Sequence, residues 1–158
     1  MYNVVLTAHS WLRWAALIAG VVATLMVIMN RPGTAGRGSG GAGDGADRWG
    51  LFFTIALDLQ TLLGLLLYFA LSPTTRAVFG DFGAAMRDPA ARFWAVEHVS
   101  MMMAAVVLAH LGRVLARKAR TPAARRTRLL VSFGLATIAM VAATPWPGMA
   151  SGRPLFRV

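Results

Sequence analysis

Four long apolar runs, at 4–29, 51–71, 93–111 and 129–144, divide the chain. Three of them reach the roughly 20 residues that cross the hydrocarbon of a bilayer, and the fourth is slightly shorter. Lipid offers no water to stray backbone groups, so runs of this length are helices. Only 14% of the 158 residues are charged, where a soluble domain carries about 25%, so lipid is the expected solvent. The expected architecture is an all-α integral membrane four-helix up-down-up-down bundle, with a single transmembrane domain spanning 1–158. Its helices are expected at about 4–30, 49–71, 89–118 and 125–144.

The formal net charge of +10 invites a nucleic-acid reading, but its distribution argues against one. Arg113, Arg117, Lys118, Arg120, Arg125, Arg126 and Arg128 crowd one loop between two apolar runs, with no acid among them. That asymmetry puts the loop in the cytoplasm, and both termini outside. Arg31, Arg37 and Arg48 fall on the same inner side, while Arg76, Arg87, Arg92, Arg153 and Arg157 are spread over outer segments. The expected location is the bacterial inner membrane, with the bilayer as the first partner and no nucleic acid. Without cysteine the chain has no disulfide, thiolate metal site or covalently attached haem. The first run has no preceding Lys or Arg, is long for a signal peptide and is interrupted by Arg13, so it reads as a mature helix.

The connections follow from composition. Residues 31–48 are Gly-rich and read as a flexible cytoplasmic linker. Val78, Phe79, Phe82 and Met86 share a helical face, which predicts an interfacial helix over 74–87. Asp88-Pro89 reads as an N-cap followed by proline at the first helical position. Thr121-Pro122 reads as a break, and Pro145-Trp146-Pro147-Gly148 as the end of the last helix.

Ionisable groups at membrane depth are costly and usually functional. His9, Arg13 and the interfacial Trp11 and Trp14 lie early in the first helix, and Trp94, Glu97 and His98 early in the third. Both helices run inward, so His9 and His98 share a level near the outer face. In an up-down-up-down bundle these two helices are diagonal, and a flat cofactor fits between them. A b-type haem held by two imidazoles needs this pairing, with Arg13, Tyr68 and Trp94 as contacts to its edge or propionates. The competing reading makes both histidines interfacial hydrogen-bonding groups. Glu97 and Arg13 are at similar depth and form a candidate ion pair.

His110 lies twelve residues beyond His98, about 18 Å along the helix, so it belongs with Asp58 near the inner side. Asp58, Glu97 and His110 are expected to be buried polar groups. Thr54, Asp58, Thr61 and Tyr68 stack on one face of the second helix, which should turn inward. Met101, Met102 and Met103 could supply thioethers with His98, but methionine at helical spacing in a membrane reads as packing rather than copper binding. No nucleophile with its base, phosphate loop or zinc-protease motif is present.

Several stretches carry a resemblance: H-S-W-L-R-W from His9, L-Q-T-L-L-G-L-L-L-Y from Leu59, D-F-G-A-A-M-R-D from Asp81, F-W-A-V-E-H-V-S-M-M from Phe93 and P-W-P from Pro145. With these the chain resembles a family of small bacterial four-helix membrane proteins loosely labelled cytochrome b-like. Members often carry a histidine just before the L-Q of helix two, where this chain has Asp58 or Leu59, a departure that argues against a haem or metal site built on that helix. Two expectations remain open. One is an electron-transfer subunit with a single haem b, which exchanges electrons with a quinone or a larger membrane complex. The other is a cofactor-free accessory or structural subunit of such a complex.

Overall fold

The computed structural model describes residues 1–30 and 42–156. Arg31, Arg37, Arg157 and most of the expected linker lie outside the described residues. Helix α1 covers Tyr2–Met29. Helix α2 covers Ala42–Leu66 and continues through a π-turn at Leu67–Leu71. Two short helices follow, α3 at Pro73–Gly80 and α4 at Phe82–Arg87. The third crossing comprises α5 at Pro89–Arg92, a π-turn at Phe93–Glu97 and α6 at His98–Arg117. Helix α7 covers Pro122–Ala143. No strand occurs among the described residues.

Each break in the chain carries its own cap. Ser72, Asp81, Asp88 and Thr121 accept hydrogen bonds from the backbone N–H three residues on, and proline follows directly in three of these cases. A cap oxygen satisfies one of the free amides of the first turn, and proline lacks the amide that would otherwise be orphaned. Thr121-Pro122 therefore begins α7, three residues before the expected 125. Helix α2 begins at Ala42 rather than 49 because Ala46 is 3% exposed against the core, so packing overrides the low propensity of the glycines. The interfacial helix expected over 74–87 is divided at Asp81, whose backbone is non-helical and whose carboxylate takes the Ala84 amide at 2.8 Å. Its four apolar residues accordingly do not share a face: Val78 is buried and Met86 packs beside it, while Phe79 and Phe82 are exposed.

Four helical stretches are long and apolar enough to cross a membrane: Tyr2–Met29, Gly45–Leu71, Pro89–Arg117 and Pro122–Ala143. The protein is a multi-pass membrane protein with an all-α four-helix bundle. Helix α1 packs against α2 and α7, and α6 against α7 and α2, which leaves α1 and α6 diagonal. Alanines 16, 23, 105, 109 and 136 are fully buried in the core, around a perpendicular Phe53–Phe133 pair with centroids 5.7 Å apart. Small side chains permit close helix approach, which drives association where lipid removes the hydrophobic incentive. At Gly20 an added Cβ would lie 2.7 Å from Thr137 Oγ1 and 2.8 Å from the Phe53 ring.

Thr137 Oγ1 is buried and has no hydrogen-bond partner among the described residues. Removing an unpaired buried hydroxyl while keeping its shape relieves desolvation. Thr137→Val is therefore expected to leave thermal stability in detergent unchanged or raise it by up to about 1 kcal/mol. A loss of more than that would mean that the hydroxyl has a partner.

Candidate cofactor site

The site is built where the beginnings of α1 and α6 meet. His9 is on the third turn of α1, and His98 opens α6 directly after the Phe93–Glu97 π-turn. A π-turn carries one extra residue and offsets the side chains on either side of it from their regular positions. The second π-turn, Leu67–Leu71, holds Tyr68 at the same end of the bundle. Neither irregularity has a signature in residue types, and both border the site.

The His9 and His98 rings are 6.4 Å apart, centroid to centroid, with planes at 66°. Both rings line a cavity of about 140 Å³, whose wall is mostly apolar and also includes Arg13, Gln60, Tyr68 and Trp94. Three of the expected contacts, Arg13, Tyr68 and Trp94, thus border the same space as the two histidines. Trp94 lies 5.5 Å from His98, ring to ring. The Tyr68 hydroxyl donates to Ala95 O at 2.6 Å and so ties α2 to the π-turn. At Gly64 an added Cβ would sit 3.2 Å from His9 Cε1, so the absent side chain is what admits the ring.

Hydrogen bonding distinguishes the two imidazoles. His98 Nδ1 lies 2.8 Å from Ala143 O, at the end of α7. A carbonyl only accepts, so Nδ1 carries the proton and Nε2 presents its lone pair. A second-shell bond of this kind orients metal-bound histidines. His9 Nε2 lies 3.2 Å from the Gln60 amide nitrogen, while His9 Nδ1 and Gln60 Oε1 are buried with no partner among the described residues. Unsatisfied polar atoms in an apolar cavity are costly, and a ligand relieves that cost. Gln60 was overlooked as a site residue because a single amide in an apolar run has no motif.

The segment after α7 covers this end. Arg13 Nη2 and Trp14 Nε1 both donate to Leu155 O, at 2.8 and 3.0 Å. Phe156 stacks on Trp14 at 5.5 Å, and the Arg153 guanidinium lies 5.3 Å from the Trp94 ring. Arg153 also lines the cavity. Its role was not legible in sequence, since nothing in 145–156 announces a return to α1.

The remaining polar residues fall elsewhere. Glu97 pairs with Arg92 at 2.8 Å rather than forming the ion pair expected with Arg13. Residues i and i+5 face each other across a π-turn, which brings Arg92 to Glu97. Asp58 and His110 do meet, at 3.5 Å, and thereby link α2 to α6. The expected burial of these groups is not met: the side chains of Glu97, Asp58 and His110 are 44%, 48% and 49% exposed. Four residues advance a helix by about 400°, so Asp58 is turned about 40° from Thr54, toward the edge of the α2–α6 seam. Thr54 itself is buried and accepts from Arg113 Nη1 at 2.8 Å, while Thr61 lines the cavity.

Two imidazoles on opposed helices would suit a cofactor that brings ligands of its own better than a bare cation. No group of three or more His, Cys, Asp or Glu residues that could hold a metal ion occurs among the described residues. Two imidazoles that shared one iron would hold their ring centres roughly 6 Å apart. The ring separation and the His98 tautomer fit such a group. His9 meets it only by giving up its Gln60 contact, because an Nε2 that accepts from the amide leaves Nδ1 protonated, and the 140 Å³ cavity must widen to admit it. Compared with family models, curated proteins and solved structures, the chain matches none of them.

Proposed function

We propose that the protein is a membrane electron-transfer protein that holds one b-type haem between His9 and His98. The observation that carries this reading is the 6.4 Å ring separation across the bundle diagonal. When bound, haem supplies one-electron redox chemistry. His98, oriented by Ala143 O, would present Nε2 to the iron, and His9 would supply the second imidazole. Arg13 and Arg153, both in the cavity wall, would neutralise the propionates. Trp94 and Tyr68 would pack along the cofactor edge and exclude water.

The resemblance to cytochrome b-like four-helix proteins supports the same reading. By the basic loop, the site would face the outer side of a bacterial inner membrane and exchange electrons with a quinone or a larger membrane complex. A second reading draws on the contacts that already engage both histidines, Gln60 with His9 and Ala143 with His98. Under it the residues are interhelical glue in a cofactor-free accessory subunit.

Titrating hemin into the purified protein separates the two. The haem reading expects a Soret band that saturates at one equivalent per chain. His110→Ala is expected to titrate identically, because His110 lies on the α2–α6 seam away from the cavity. Non-saturating uptake, or a band that depends on His110, would favour the accessory reading or a different ligand set.

A further inference from the structure

The opposite end of the bundle holds a second pocket, of about 420 Å³, where the end of α1 and the starts of α2 and α7 meet. Arg120, Arg125 and Arg126 line it, and no acid among the described residues does. Two of these cations are already held in place. Arg126 donates from Nε to Val27 O at 3.1 Å and from Nη2 to Ile28 O at 3.0 Å, which fixes its guanidinium on the last carbonyls of α1. Arg125 Nη2 donates to Asp47 Oδ2 at 2.6 Å, and Asp47 is the acid that answers this cluster. Arg120 is exposed and makes no hydrogen bond or ion pair among the described residues.

The start of α7 adds to the same field. Thr121 Oγ1 takes the Ala124 amide at 3.1 Å, and Thr121 O takes the Arg125 amide at 3.0 Å. The Ala123 amide keeps no intrahelical partner, because the first turn of a helix has none to give. Amides and dipole of this helix start therefore favour an anion, on the side where Arg120 is unengaged. The rest of the wall, including Val27, Ala46 and Leu129, is apolar.

We propose that this pocket binds a phosphate-bearing anion, whether the headgroup phosphate of a phospholipid or free phosphate. Arg120 is the main charge partner, and Arg125 and Arg126 are pre-oriented donors at its side. Basic pockets between membrane helices, beside apolar surface, are suited to anionic headgroups. The site is independent of any haem, since it lies at the other end of the bundle.

Native mass spectrometry of the delipidated full-length protein in mild detergent tests the proposal with three probes: phosphatidylglycerol, phosphatidylcholine and inorganic phosphate. Retention of one phosphatidylglycerol at concentrations that leave phosphatidylcholine unbound is the expected result with a lipid source. Retention of inorganic phosphate, in competition with phosphatidylglycerol, is the expected result with a free anion. Arg120→Glu is expected to weaken the retained probe at least about tenfold. This variant breaks no contact among the described residues, so it should fold as the parent does. Arg87→Glu, at the other end of the bundle, should change nothing. Equal retention of both lipids with no phosphate binding, or indifference to Arg120→Glu, would overturn the proposal.

Discussion

His98→Ala is expected to abolish haem retention while leaving the bundle folded. His98 supplies one of only two imidazoles in the cavity wall, and its Nδ1 bond to Ala143 O sets the tautomer that frees Nε2. Without it a bis-histidine site would lose one of the two ligands that the protein supplies, and no third histidine lies within the cavity. His9→Ala is expected to do the same. Both rings border a cavity rather than a close-packed core, so truncation should cost no more than the lower end of the roughly 2–5 kcal/mol of a core deletion. Gel-filtration behaviour and helicity should match those of the parent. Imidazole added to the His98→Ala protein with hemin should restore part of the Soret band, which a purely structural histidine would not allow. A full band in either variant would refute the ligand assignment.

Gly112→Ala is expected to destabilise the bundle, since its Cβ would make the shortest approach found at any described glycine. The new Cβ would stand 2.3 Å from Ser132 Cβ and 2.7 Å from Ser132 Oγ, so α6 and α7 must part. Overpacking of a tight contact costs about 1–3 kcal/mol, and here the first obstacle is a Cβ held by its backbone. The clash has a specific remedy. Once Ser132 loses its side chain, the nearest remaining atom is Ser132 Cα at 3.7 Å, an ordinary contact. Gly112→Ala with Ser132→Gly should therefore recover at least half of the loss, as coupling between touching residues requires. Gly134, on the same helix as Ser132, has nothing within 4 Å of an added Cβ. Gly134→Ala should be neutral or stabilising by up to about 1 kcal/mol. Thermal unfolding in detergent reads the parent, Gly112→Ala, Ser132→Gly, the double variant and Gly134→Ala, and additive losses in the double variant would contradict a close α6–α7 contact at Gly112.

Hydrophobic run length made the four crossings legible, because no other structure satisfies the backbone over such a stretch in lipid. Counting depth from each helix start brought His9 to the level of His98 and Asp58 to His110. What sequence concealed was local geometry. The π-turn at Phe93–Glu97 redirects Glu97 to Arg92, and a regular 3.6-residue period cannot anticipate an inserted residue. Asp81 looked like one polar residue within an amphipathic segment, yet its carboxylate caps a new helix. The polar stripe of α2 looked uniform, but the 40° drift between Thr54 and Asp58 separates a buried group from a half-exposed one. The return of 145–156 over Arg13 and Trp14 depends on backbone carbonyls such as Leu155 O, which every residue possesses and no sequence distinguishes.

A reduced-minus-oxidised difference spectrum is recorded on full-length protein purified in mild detergent from cells supplied with haem. An α band and a Soret band of low-spin b-type haem, at one haem per chain, are the expected result. Protein that is folded and monodisperse but lacks both bands would contradict it.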